Sequence, residues 1–391
     1  MFRHQVGNSR YIHNLNLVGV FRLINNMGPV TRKELAENSK YSAATVSNHV
    51  KTLMQKGFVI ETEKGHSTGG RKPVYLNVNP EKGYIISIEI QVNKVKLVIF
   101  NLKLNIKKSV EINIQNKNKP PLVLNSILSR LRKVLTEEKL NQKKILGIGI
   151  AIPGLVEKSD NILQFAPNLG WEQVDIVKHF SEYQVPIILE NEANAAVVGE
   201  KEFIYPQQQN MVYVSINEGI GCGIIFNGIL YPGASGNAGE FGHIIIDNEG
   251  RKCHCGNRGC WETLASINYI INEYKEKTGQ EIKNIKEINH ILKNQKRTQL
   301  INILHRTGFN IGLGLVNIIN SLSPEMLIIG GNINLFKSYI ENEILNIIEK
   351  KALSISSKKL DLQFSKLNES AAVHGLASIV FDESISMIKI R

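Results

Sequence analysis

The chain has 391 residues, 42% hydrophobic and 21% charged, the balance of an ordinary globular protein and not of a low-complexity chain. That length exceeds one compact core and predicts two or three domains. The formal net charge of +12 favours an acidic partner such as nucleic acid.

The start of the chain is polar and charged, with no apolar signal region. The longest apolar run, 145–156, is broken by glycines and a proline, far short of the roughly 20 residues a membrane span needs. The expectation is a soluble, cytoplasmic protein with no membrane partner. The positive charge is concentrated: residues 1–80 hold 11 Lys/Arg against 4 acids, a difference of +7. A generally Lys-rich proteome would spread such charge evenly.

Leu17, Val20, Phe21 and Ile24 have helical spacing, and Gly28-Pro29 stops that helix. Thr31 and Glu34 form a capping box for a short second helix. Ser42 caps a third, whose Val46, Val50 and Leu53 share one face. Thr45, Ser47, Asn48 and Lys51 then point outward with Ala43 and Ala44. Small and hydroxyl or amide side chains suit base edges, and Lys51 suits phosphate. A strand over 57–62, a basic loop over 66–73 and a returning strand over 74–78 complete a wing. Its Arg71 and Lys72 are candidates for the DNA backbone or minor groove. The pattern is a winged helix-turn-helix over 1–80, with Ser42, Thr45, Ser47, Asn48, Lys51, Arg71 and Lys72 as DNA-binding candidates. A three-helix domain with an unrelated hairpin would give a similar trace without the polar third helix.

Beyond Pro80 the pattern changes to α/β. Strands are expected over 84–90, 94–102 and 106–114, a helix over 123–140, and a central strand over 145–152 that is apolar on both faces. Gly154 follows that strand and leaves room for a ligand near backbone. A loop at 168–171 offers Asn168 and Trp171. A strand over 185–189 leads into a helix beginning at Asn191 and Glu192. A second strand set is expected over 211–216, 223–226 and 229–231. Residues 268–300 read as a solvated helical excursion, 308–322 as a glycine-punctuated helix, 324–332 as a buried strand, and 371–380 as a closing helix.

One stretch carries concentrated chemistry. Cys253, Cys255 and Cys260 follow His243 within a short span. Gly256 and Gly259 let the chain double back between them. Three thiolates and an imidazole make a four-ligand tetrahedral zinc set with no open position, hence structural zinc. His254 is the alternative fourth ligand, although its place between two ligand cysteines turns it away. A disulfide pair with a spare thiol, or three buried thiols, are the other readings. Glu240 and Glu262 flank the cluster.

Gly239-Glu240-Phe241-Gly242-His243 together with Cys253-His254-Cys255-Gly256-Asn257-Arg258-Gly259-Cys260-Trp261-Glu262 resembles the signature of the ROK family, which holds sugar kinases and sugar-responsive repressors. The resemblance spans nearly the whole chain. It implies a two-lobed ribonuclease H-like domain of the actin/hexokinase ATPase type, the order β-β-β-α-β being its half-unit. The implied division is 81–195 for the first lobe, completed by 370–391, and 196–369 for the second lobe with the zinc site. It implies sugar binding by Gly154, Asn191, Glu192, Glu240, His243 and Glu262, and zinc ligation by His243, Cys253, Cys255 and Cys260.

Kinases of that family carry Asp-x-Gly-Gly-Thr on the first strand pair. Here the stretch is Glu89-Ile90-Gln91-Val92-Asn93, and both glycines that let backbone approach phosphate are gone. The second phosphate loop carries Glu218 where a Thr is usual. The expectation is no enzyme activity and a repressor resembling the xylose-responsive branch of the family. Its implied partners are a palindromic operator DNA, a monosaccharide such as xylose and a second copy in a homodimer. A kinase that has gained a DNA-binding domain is the alternative.

Overall fold

The computed structural model describes residues 9–64, 73–157, 161–234, 236–282, 284–293 and 297–386. Helix α1 (Ser9–Met27) leads through β1 (Val30–Thr31) into α2 (Arg32–Glu37) and α3 (Ala43–Gln55). The Thr31 hydroxyl accepts from the Glu34 amide at 3.2 Å and the Glu34 carboxylate accepts from the Thr31 amide at 2.8 Å, so the expected capping box starts α2. Ser42 caps α3, accepting from the Thr45 amide at 3.2 Å. Val46, Val50 and Leu53 are buried as expected, and His49 joins them. Strands β2 (Val59–Lys64) and β3 (Val74–Val78) pair antiparallel, with β1 on the other edge of β3. The first wing strand thus starts two residues later than its sequence pattern, because Gly57 turns the chain in a left-handed conformation after α3. Arg71 and Lys72 lie outside the described residues.

The first large sheet holds β4 (Tyr84–Ile90), β5 (Lys94–Asn101), β6 (Ile106–Asn113), β7 (Ile145–Ile152) and later β11, in the order β11-β7-β4-β5-β6. Helix α4 (Pro120–Glu137) covers one face and starts with proline, where a missing N–H costs nothing. A small antiparallel sheet follows, β8 (Leu155–Glu157), β9 (Ile162–Ala166) and β10 (Trp171–Val174). It occupies a stretch that reads as loops in sequence, because its strands are short. Helix α5 (Ile176–His179) precedes β11 (Ile187–Asn191), which runs parallel to β7.

Helix α6 (Glu192–Phe203) crosses to the second sheet. That sheet holds β12 (Met211–Ile216), β13 (Ile220–Phe226) and β14 (Ile229–Leu230), with β15 and β16 below, in the order β14-β13-β12-β15-β16. In both sheets the first three strands form an antiparallel meander and the last two add in parallel to the first. The two lobes therefore repeat one plan. Strand β13 starts at Ile220, three residues earlier than expected, because residues 217–219 form a tight turn in which the Asn217 amide donates to the Gly219 carbonyl at 2.9 Å.

Short α7 (Glu262–Ala265) is followed by α8 (Ile267–Thr278), α9 (Ile285–Leu292) and the long α10 (Thr298–Leu322). The expected solvated excursion is in fact packed: Ile270, Tyr274, Ile288 and Leu292 are buried in the second-lobe core. Each helix has one apolar face at helical spacing beneath its charged one. Strand β15 (Met326–Gly330), α11 (Lys337–Lys351), α12 (Ser354–Ser357) and β16 (Asp361–Phe364) complete the lobe. Helix α13 (Ala371–Ser386) returns to the first sheet. Val373, Val380 and Phe381 of α13 share one apolar cluster with Phe21 and Phe58 of the winged helix. Among the described residues, no helix is long and apolar enough to cross a membrane.

Candidate functional site

The tips of the two sheets face each other across a cleft of about 480 Å³, within the range of small-molecule sites. Glu89 is next to last in β4, Gly154 lies just beyond β7, and Asn191 and Glu192 lie at the junction of β11 and α6. Glu240, His243 and Glu262 come from the second lobe. Every sugar-binding candidate thus lines one cavity.

The knot between Ile244 and Trp261 shapes the second-lobe wall. The Trp261 amide donates to the Ile244 carbonyl at 2.8 Å, and the Cys253 amide to the Asn257 carbonyl at 2.8 Å. Gly256 and Gly259 take φ of 97° and 67°, which closes the turns. Trp261 is fully buried and its indole donates to the Asn310 carbonyl of α10 at 2.9 Å. Deleting so large a buried side chain costs about 3–5 kcal/mol.

His243, Cys253, Cys255 and Cys260 converge, their ligand atoms all within 4.8 Å of one another. The His243 Nδ1 lies 3.5 Å from the Cys253 sulfur, and the Cys255 and Cys260 sulfurs are 3.6 Å apart. Those edges match the roughly 3.5–3.8 Å between ligands of a tetrahedral metal with bonds of about 2.0–2.3 Å. The four residues can hold a metal ion, and no disulfide is formed. His254 is not part of this group; it lines the cleft instead. With Nδ1 turned to the cysteines, Nε2 of His243 lies 3.7 Å from a Glu240 oxygen. The cluster thus turns the second nitrogen of the imidazole towards the Glu240 carboxylate. Burial and the nearby Glu262 raise the Glu240 carboxyl above its ordinary range, while His243 opposes them. Glu262 accepts from the Ile220 amide at 3.0 Å, which fixes it at the start of β13.

On the opposite wall, Asn191 caps α6. Its oxygen accepts from the amides of Ala193 at 2.8 Å and Asn194 at 3.3 Å, and its Nδ2 donates to the Gly154 carbonyl at 2.9 Å. Much of its hydrogen-bonding capacity is therefore spent on shaping the wall. At Gly154 a Cβ would stand 2.5 Å from the Phe165 carbonyl. The glycine accommodates β9 of the same chain, a packing reason added to the room it leaves for a ligand.

Glu192 accepts from the Ser215 hydroxyl at 3.0 Å. Asn217 donates to Ser215 at 3.1 Å and accepts from the Asn332 amide at 2.8 Å, so a polar chain crosses the floor. Burial, then Glu89 and Glu218 nearby, raise the Glu192 carboxyl to about 8. Burial raises Glu89 to about 7, against the pull of Gln91, Lys96 and Lys94. Sequence reasoning passed over Glu89, Ser215, Asn217, His254 and Asn332 as ligand-facing residues. Only Glu89 left a signal, as an acid in a strand that is otherwise almost wholly apolar.

Where the sequence lacks phosphate-loop glycines, Gln91, Val92 and Asn93 form a turn closed by the Gln91 amide on the Lys94 carbonyl at 2.9 Å. Val92 is 6% exposed and turns its side chain into the cleft wall. Asn93 donates across the cleft to Glu218 at 3.3 Å.

Of the DNA-binding candidates, Ser42, Ser47, Asn48 and Lys51 are exposed and Thr45 is half-buried. The Ser42 hydroxyl is committed to Thr45 at 2.9 Å. Ser47, Asn48 and Lys51 fall on one outward stretch of α3.

A model of the ROK family matches residues 85–383, and one of the MarR family matches residues 14–64. The xylose repressor of Bacillus subtilis is 33% identical over 98% of this chain and 99% of its own length. The crystal structure of a ROK family transcriptional regulator, described as a homolog of the Escherichia coli MLC protein, superposes with a TM-score of 0.80 at 25% identity, covering 96% of this chain and 97% of that one. A ROK family glucokinase from Streptomyces griseus, in complex with glucose and AMPPNP, has a TM-score of 0.66 at 21% identity, covering 76% of this chain and 99% of that one, a likeness of fold alone. The match over most of the length and the shared two-lobed plan agree: the chain belongs to the ROK family.

Proposed function

We propose that the chain is a sugar-responsive transcriptional repressor of xylose or related sugar-utilisation genes. A homodimer presents two winged helices to a palindromic operator, with half-sites about 34–36 Å apart or a multiple of that. Sugar in the cleft shifts the lobes and the attached reading heads, and the operator is released. A coupling of about 1–3 kcal/mol changes DNA affinity by one to two decades.

One observation carries this reading. The cleft keeps acids and amides suited to sugar hydroxyls, while Gln91, Val92 and Asn93 stand where a phosphate loop would need bare backbone. The xylose repressor name of the Bacillus subtilis relative supports the choice of sugar. In this reading the His243, Cys253, Cys255 and Cys260 group holds structural zinc, which folds the knot and leaves no open coordination position. Asn191, Glu192, Glu240, His243 and Glu262 bind the sugar beside Gly154, and no phosphoryl transfer takes place.

Gel-shift titration with operator DNA, with and without xylose, tests the reading. A fall in DNA affinity is expected. Unchanged affinity across a panel of pentoses and hexoses removes the effector role, and sugar-dependent ATP consumption would establish the kinase alternative.

A further inference from the structure

Besides Glu240, His243 and Glu262, the cleft is lined by Glu89, Gln91, Ser215, Asn217, Glu218 and Asn332. Glu89 is 3% exposed, and one of its oxygens accepts from Gln91 at 2.7 Å. The other, Oε2, is buried without a partner although the residue lines the cavity. A buried carboxyl oxygen left unpaired is costly whether or not it carries a proton, so this position favours a ligand hydroxyl, which can donate or accept.

We propose that the part of the cleft around Glu89 and Glu218 is a subsite for another sugar ring, so that the cleft takes an uncharged disaccharide. The inference rests on the sugar-responsive reading of the same cleft. The lining offers amides, a hydroxyl and carboxylates, groups that match ring hydroxyls, which both donate and accept. Among the described lining residues there is no Lys or Arg, so a phosphoryl group entering here would find carboxylates and no counter-charge. Phe165, 37% exposed, gives the cavity an aromatic face for the C–H side of a ring. The cavity of about 480 Å³ lies within the range of sites that hold drug-sized ligands. Because Asn93 holds Glu218 from across the cleft, both lobes bound this subsite.

Calorimetric titration of the full chain with xylose, xylobiose, glucosamine and glucose 6-phosphate tests the proposal. Xylobiose is expected to bind about tenfold tighter than xylose, the worth of one or two added hydrogen bonds. Glu89→Gln keeps the shape but replaces the acceptor with an amide, and should bring the xylobiose-to-xylose affinity ratio towards one. Thermal melting checks its folding. Glu218→Ala reads the same subsite from its solvent side and should lower the same ratio if Glu89→Gln does not fold. Xylose binding with equal or weaker xylobiose binding overturns the subsite while leaving the repressor reading intact. Tighter binding of glucosamine or glucose 6-phosphate than of xylobiose also overturns it, in favour of an ammonium or a phosphoryl group. If none of the four binds, the subsite falls, while the wider panel of pentoses and hexoses decides the sugar-responsive reading.

Discussion

Arg22 on α1 donates to Asp382 on α13 at 2.9 Å, so the reading head and the last helix of the ligand-binding body meet directly. Both side chains are about half exposed, and such a pair is worth about 0–1 kcal/mol. The stronger tie lies beneath it. Phe21 stacks on Phe381 with ring centroids 6.0 Å apart, and Phe381 is 5% exposed. Phe381→Ala should therefore cost about 3–5 kcal/mol in urea unfolding and Arg22→Ala under about 1 kcal/mol. Equal costs for the two would contradict this ranking.

Helix α13 packs against α6 with backbone close to backbone. A Cβ on Gly375 would stand 1.7 Å from the Ala195 carbonyl, and one on Gly199 2.1 Å from the Ala371 carbonyl. Since α6 begins at Glu192 in the cleft, a shift of α6 carries α13 with it. Gly375→Ala should lose about 1–3 kcal/mol of stability from overpacking. It should also shrink the effect of xylose on operator affinity. A destabilised variant with an undiminished xylose effect would show that the signal travels elsewhere.

Cys255→Ser removes one of the four side chains that can hold a metal ion. Metal content by mass spectrometry should fall from about one ion per chain to near zero. Sugar affinity should fall with it, since the knot no longer holds His243 against Glu240. A metal-free variant with full sugar response would separate the metal from ligand positioning.

Lys51 lies exposed at the end of the polar stretch of α3. Lys51→Ala should weaken operator binding across sequences alike and reduce the salt slope by about 1 for each phosphate it neutralises. An unchanged slope means that Lys51 touches no phosphate.

Glu89 and Glu192 titrate at about 7 and about 8 in the folded chain, against an ordinary value of 4.5. Between those limits the folded state binds more protons than the unfolded chain. Stability is therefore greatest below the unfolded value and declines as pH rises through the folded ones, at most about 1.4 kcal/mol per pH unit for Glu89. Melting temperature should fall between pH 5.5 and 8.5 at constant ionic strength, and Glu89→Gln should flatten that fall. A flat wild-type profile would mean that water or a cation relieves the pair.

Most strands of the two large sheets, the capped α2 and α3 and the convergence of His243 with the three cysteines were legible because each depends on neighbours within a few residues. Alternation, capping pairs and cysteine spacing are local signals. The packing of α8 and α9 was not, because their charged faces dominate the composition while a few apolar side chains decide burial. The small sheet from β8 to β10 was missed for a similar reason: three short strands carry little periodicity.

The amino-acid sequence by itself determined the family, the winged helix and the loss of the phosphate glycines, since all three are written in contiguous residues. Tertiary structure alone decided that Glu89, from a buried strand, faces Glu192 and Glu218 across one cavity. It alone turned one nitrogen of His243 to the cysteines and the other to face Glu240. It also set α13 between α6 and the reading head. These relations join residues far apart in the chain, and only close packing of the two lobes brings them within reach.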